Sequence, residues 1–195
     1  IELEIWSQTV ARLLRPGARL QISSSMPIRD LDFFSRPHAE PLAVPLPPAA
    51  NRGASGIDGN ISTAAGLCHG TGEPSTLIIG DVSSLHDINS LQQISGPNAP
   101  PLTVVVVNNG GGGIFSFLPI AQHKELMDPF FNEPHDLDFT AACAAFGIDH
   151  TVCKTAEEFE AAYLRSQRKG AKGARLIEAS VSLSREDNVA LHKAA

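Results

Sequence analysis

Leu102 to Val107 is an apolar, largely β-branched run that stops abruptly at Asn108-Asn109 and four consecutive glycines, Gly110 to Gly113. Such a run fits a buried strand, and the polar pair and glycines that end it mark the strand's last residue. The same grammar occurs upstream. Thr76 to Ile79 is apolar and ends at Gly80-Asp81, after which Ser84 to Ile94 places Leu85, Ile88 and Leu91 on one helical face. Strands that end in Gly or Asn and alternate with helices predict an α/β fold, a parallel sheet in a three-layer domain. In such a domain ligands sit at the carboxyl ends of the strands.

The other elements fit this frame. Ile5, Trp6, Val10, Leu13 and Leu14 fall at helical spacing, and Arg15-Pro16-Gly17 stops that helix. Arg19 to Ser23 reads as a short strand, and Ser24 to Pro27 turns it into a helical patch ending near Phe34. Five prolines between Pro37 and Pro48 predict a loop. Asn51 to Gly59 is a glycine-rich loop before a small-residue helix, Ile61 to His69. Asp138 caps a helix through Phe146, and Thr155 to Glu158 is a capping box opening a helix to about Arg168. Arg175 to Val181 reads as the last strand.

Composition narrows the function. With 43% hydrophobic and 18% charged residues, the 195-residue chain can bury a core as one domain. Fifteen Lys and Arg stand against 21 Asp and Glu, and no basic run exceeds Arg168-Lys169, which argues against a nucleic-acid or anionic-membrane partner. The longest apolar run is far short of the roughly 20 residues a membrane-spanning helix needs. Cys68, Cys143 and Cys153 form no CxxC pair, so neither a disulfide framework nor a zinc site is expected, and a reducing compartment is. No G-x-G-x-x-G, Walker-type loop, nucleophile elbow or HExxH is present.

Two strand ends carry oxygen ligands: Asp81 ends one, and Asn109, 28 positions later, ends the next. Neighbouring in a parallel sheet, they offer a carboxylate, an amide oxygen and, from the glycine-rich turn, a backbone carbonyl. That is a hard-oxygen set with vacancies, suited to Mg²⁺ completed by phosphate oxygens, and the helix near Ser83-Ser84 aims N–H groups toward the same place. Taken singly, each half also has a purely structural reading, Asp81 as an N-cap and Asn108 to Gly110 as an ordinary turn. The order strand, Gly-Asp, helix, strand, Asn-Asn, glycines is what points to a diphosphate site.

The Gly80-Asp81 to Asn108-Asn109 block resembles the diphosphate motif of thiamine-diphosphate (ThDP) enzymes, GDG followed by NN, with Val82 in the third position. The segments GDVSSLHDINSL, VVVVNNGGGGIFSFLP, NRGASGIDGNISTAAG and SSSMPIRD resemble more closely the MenD-type synthases of 2-succinyl-5-enolpyruvyl-6-hydroxy-3-cyclohexene-1-carboxylate (SEPHCHC), which serve menaquinone and phylloquinone biosynthesis. The resemblance implies a ThDP- and Mg²⁺- (or Mn²⁺-) dependent transferase that decarboxylates 2-oxoglutarate and adds the succinyl unit to isochorismate. By motif, Asp81, Asn109 and Gly111 would hold the metal, and Gly80, Val82 and Ser83 the diphosphate. Ile57 would keep the cofactor bent, so that its own amino group reaches its reactive carbon. Ser25, Arg29 and Arg52 would meet the substrates, the guanidiniums gripping carboxylates in pairs of hydrogen bonds, and Ile114, Phe115 and Leu118 would form an apolar wall.

The same resemblance implies a single diphosphate-binding domain over residues 1–195, a fragment of a longer enzyme. The pyrimidine-binding domain that activates ThDP would come from elsewhere, normally a partner subunit of a homo-oligomer, and the chain alone is expected to be inactive. A plastid stroma, in a plant or algal fused polypeptide, or a bacterial cytoplasm would suit it. Two other readings stay open: another ThDP lyase or decarboxylase of the acetolactate synthase kind, and a non-catalytic module of the same fold.

Overall fold

The computed structural model describes residues 1, 3–34, 48–51, 53, 56–182 and 184–194. Five parallel strands, β1 (Arg19–Ile22), β2 (Ser75–Gly80), β3 (Leu102–Asn108), β4 (Asp149–Cys153) and β5 (Arg175–Ser180), form one sheet in the order β1-β2-β3-β5-β4. The helices are α1 (Leu3–Leu13), α2 (Met26–Phe34), α3 (Asn60–Thr71), α4 (Asp81–His86), the single turn α5 (Lys124–Met127), α6 (Thr140–Phe146), α7 (Ala156–Ser166) and α8 (Arg185–Ala194).

Strand alternation creates two cores. Ile78, Val105, Val107 and Ile177 face one side, where Trp6 and Val10 of α1 and Phe159 and Tyr163 of α7 cover them. Leu77, Ile79, Val104, Val106 and Leu176 face the other, under Ile61 and Ala64 of α3 and Cys143 of α6. This is the expected three-layer architecture. Each large side chain buried here stabilises the fold by roughly 1.5–3 kcal/mol. All three cysteines are buried free thiols.

The Thr155 capping box forms as the sequence predicts: its hydroxyl accepts from the Glu158 N–H, and Glu158 accepts from the Thr155 N–H. The single helix expected from Ser84 to Ile94 does not form. It is divided at Asp87 into α4 and a 3₁₀ segment, Ile88–Ile94. The buried Asp87 carboxylate accepts from the Ile61 N–H (2.6 Å) and the Ser90 hydroxyl (2.6 Å). Satisfying the first turn of α3 and its own local turn takes precedence over helical continuity.

Glu178, on β5 between β3 and β4, ties the sheet to the loops above it. Its buried carboxylate accepts from Asn108 Nδ2 (2.7 Å) and the Phe139 N–H (3.1 Å) and lies 3.2 Å from His150 Nε2. Burial pushes this carboxyl up, but hydrogen bonds from His150, Asn108 and Phe139 outweigh it and hold the group below its ordinary 4.5. Glu178→Ala should therefore lower stability by about 2–4 kcal/mol, read from urea unfolding near neutral pH. A folded value below the unfolded one means that the wild-type advantage is present above pH 4.5 and fades as pH falls through the folded value. A loss under about 1 kcal/mol, or one independent of pH, would contradict this account.

Candidate functional site

The register pairs Gly80 with Val107, so the residues after β2 and β3 emerge side by side. Gly80 is the extended N-cap of α4 and Asp81 its first residue, which removes the N-cap reading of Asp81. The Asp81 side chain is buried and reaches across both strand ends. Oδ1 accepts from the Val82 N–H (2.7 Å), and Oδ2 from the N–H groups of Asn109 (3.1 Å) and Gly111 (3.0 Å). Burial pushes this carboxyl up, with the hydrogen bonds from Val82 and Gly111 and the nearby His135 pulling against it.

The two asparagines divide the work. Asn108 braces the turn: its Nδ2 donates to Glu178 and to the Leu137 carbonyl (3.0 Å), and its Oδ1 accepts from the Gly110 N–H (3.1 Å). Asn109 faces the carboxylate, one end of its amide lying 3.2 Å from Asp81 Oδ2 and 2.9 Å from the Gly111 carbonyl oxygen. With nitrogen at that end, the amide donates to both. With oxygen there, a carboxylate, an amide and a carbonyl oxygen converge, and a cation among them relieves the repulsion. This donor set fits a small hard cation. Among the described residues no three His, Cys, Asp or Glu side chains gather as a metal site, so a zinc-type centre has no counterpart there. His135 stands behind: its Nδ1 accepts from the Leu137 N–H, which leaves the proton on Nε2, 3.5 Å from Asp81 Oδ2.

A cleft of about 70 Å³ opens over the carboxyl ends of β1, β2 and β3. Ser25, Gly80, Asp81, Val82, Ser83, Asn109, Gly111 and Ile114, all singled out from sequence, line it together. Ser25 holds a left-handed backbone (φ 75°), the kind of local cost that tertiary context must support. Arg29 is exposed on α2, its guanidinium donating to the Ser25 carbonyl. Ile57 and Leu118 are exposed and Phe115 packs on Phe131 (5.3 Å between rings), none of them lining this cleft. Arg52 lies outside the described residues. Asp30 of α2 and Asn188 of α8 also line the cleft; neither was singled out, although Asp30 ends the SSSMPIRD segment.

Residues 49–179 match the family described as thiamine pyrophosphate enzyme, C-terminal TPP binding domain. The chain belongs to this family, and the cofactor class of the domain is ThDP. Within it, the chain is 48% identical over 187 residues to the 2-succinyl-5-enolpyruvyl-6-hydroxy-3-cyclohexene-1-carboxylate synthase of Rubrobacter xylanophilus, covering 96% of this chain and 31% of that protein. It is 49% identical over 177 residues to the synthase of the same name from Chlorobium phaeobacteroides, covering 89% of this chain and 29% of that protein. The chain thus spans about a third of the length of these relatives. A solved benzoylformate decarboxylase from Polynucleobacter necessarius superposes with a TM-score of 0.68 at 19% identity, over 92% of this chain and 32% of that one, a likeness of fold.

Proposed function

We propose that this chain is the part of a SEPHCHC synthase that holds the ThDP diphosphate through Mg²⁺ or Mn²⁺, bound by Asp81, Asn109 and the Gly111 carbonyl. The observation that carries this reading is the gathering of the Asp81 carboxylate, the Asn109 amide and the Gly111 carbonyl beside Gly80 to Ser83, in a chain nearly half identical to synthases of that name. When bound, ThDP supplies a carbon nucleophile that lets a 2-oxo acid lose CO₂ and pass its remainder on.

The chain's own residues bind and orient. Asp81, fixed by three backbone N–H groups, presents its carboxylate without needing to reorganise. Ile57 is assigned to prop the cofactor, Ser25 and Ile114 to the reacting end of the cleft, and Phe115 and Leu118 to the apolar wall that the rest of the enzyme completes. Arg29 and Arg52 are assigned the carboxylates of 2-oxoglutarate and isochorismate, for which planar guanidiniums suit. The remainder of the enzyme would supply the pyrimidine-binding side, from a second copy of the subunit.

The test is CO₂ release. With ThDP, Mg²⁺ and the pyrimidine-binding part added, 2-oxoglutarate should be decarboxylated and isochorismate converted to SEPHCHC; the chain alone should release none. Pyruvate used in place of 2-oxoglutarate would overturn the substrate assignment. CO₂ release by the chain alone would overturn the domain assignment.

A further inference from the structure

α8 buries its polar side. Asn188 is its one fully buried residue, 6% exposed, while Val189 and Leu191 are only half-buried. Packing alone would select an apolar residue there, since a buried amide without partners costs stability. Asn188 Oδ1 has no hydrogen-bond partner, and the residue lines the same cleft as Asp81, Asn109 and the Gly80 to Ser83 turn. A buried, unsatisfied acceptor thus belongs to a residue that lines the cleft where the metal and diphosphate are assigned.

One turn on, His192 fixes the helix that carries it. Its Nδ1 lies 3.0 Å from the Asn188 carbonyl and its Nε2 2.8 Å from Asp30 Oδ1, on α2. The carbonyl can only accept, so Nδ1 carries a proton. The Nε2–Oδ1 contact then needs a second, on one atom or the other, and the pair is neutral overall with two protons. The imidazole is packed by Phe33, Phe34 and Phe117 at 5.5, 4.9 and 5.1 Å, which joins α8 to α2 and to the helical turn after the glycines. Arg29 also bears on Asp30, from the exposed side of α2.

We propose that Asn188 is a further binding residue of this cleft, its side-chain amide turning to present the oxygen as acceptor to a water of the metal–diphosphate group, and that the Asp30–His192 pair is the latch that positions the helix carrying it. The inference rests on the function proposed above and adds a residue to it. Mg²⁺ suits the role because it keeps several of its waters when bound through one or two carboxylates and phosphates, and those waters are donors. Phosphate oxygens offer none.

The test titrates inorganic diphosphate with Mg²⁺ into the full chain by calorimetry, with thermal unfolding of each variant measured unliganded. Asn188→Ala should weaken diphosphate binding about tenfold or more without lowering the unliganded Tm, because the orphaned acceptor is removed. Asn188→Asp, which keeps an acceptor at that position, should bind closer to wild type than the alanine variant. His192→Ala should also weaken binding, and the double variant with Asn188→Ala should be no weaker than the weaker single one. Wild-type affinity in Asn188→Ala, or a lowered Tm marking a packing role, overturns the binding assignment; additive losses overturn the latch. Asp81→Ala separates the two levels. If wild type binds, Asp81→Ala does not and Asn188→Ala binds fully, the function stands and this inference falls; if wild type itself takes up no diphosphate with Mg²⁺, both fall.

Discussion

Asp81→Ala should abolish metal-dependent binding of ThDP, with affinity in the presence of Mg²⁺ falling about 100-fold or more and the difference between titrations with and without Mg²⁺ vanishing. The substitution removes the one carboxylate of the donor set and also the acceptor for the N–H groups of Val82, Asn109 and Gly111. Asp81→Asn keeps the shape and loses the charge, so it should lose the Mg²⁺ dependence as well while remaining folded. Calorimetric titration checks both variants, with far-ultraviolet circular dichroism as the control for folding. Mg²⁺-dependent binding retained in Asp81→Asn would mean that the cation is held elsewhere.

Gly111→Ala should destabilise the chain by about 3 kcal/mol and remove metal-dependent binding with it. Its φ of +140° is open to glycine and strained for any residue with a Cβ, and a Cβ there would run into the Asn132 carbonyl. That carbonyl cannot easily retreat, because it accepts from the Gly112 N–H at 2.5 Å and belongs to the helical turn Asp128–Asn132 packed against the glycine turn. Moving Gly111 also displaces the N–H that Asp81 uses and the carbonyl assigned to the metal. Gly66→Ala is the contrast: mid-helix in α3, with open space around a new Cβ, it should raise stability by about 0.5–1 kcal/mol. Urea midpoints of the two variants moving in the same direction would contradict the steric argument.

The strand ends and their oxygens were legible because they follow from local rules: a β-branched run must be buried, and a Gly-Asp or Asn-Asn after it sits where a parallel sheet binds ligands. What escaped reading lacked such a local signature. β4 is an edge strand, partly exposed, whose Asp149, His150 and Thr151 show no apolar run, and it exists because β5 offers it a ladder. α8 has no apolar stripe, since its fully buried residue is Asn188 and its His192 is chosen by a partner, Asp30, that lies 162 residues away in sequence. The break at Asp87 was hidden in the same way: its reason is the N-terminus of another helix. Glu178 reads in sequence as one charged residue in an apolar strand; only the fold reveals that it anchors Asn108, so that Asn109 is left free to face Asp81.

The strand order carries a consequence for how the molecule comes into being. β5 emerges last from the ribosome yet lies inside the sheet, paired with β3 on one flank and β4 on the other. The triplet β1-β2-β3 can zip together as it is made, but the outer ladder of β3 stays open, and β4 has no neighbour, until the segment around Ile177 arrives. An unpaired, apolar strand edge in a nascent chain is a template for the wrong partner. The charged Glu178 at the middle of β5 therefore serves assembly as well as stability: its tie to Asn108 is made only in correct register, so closure of the sheet and completion of the cleft are one event.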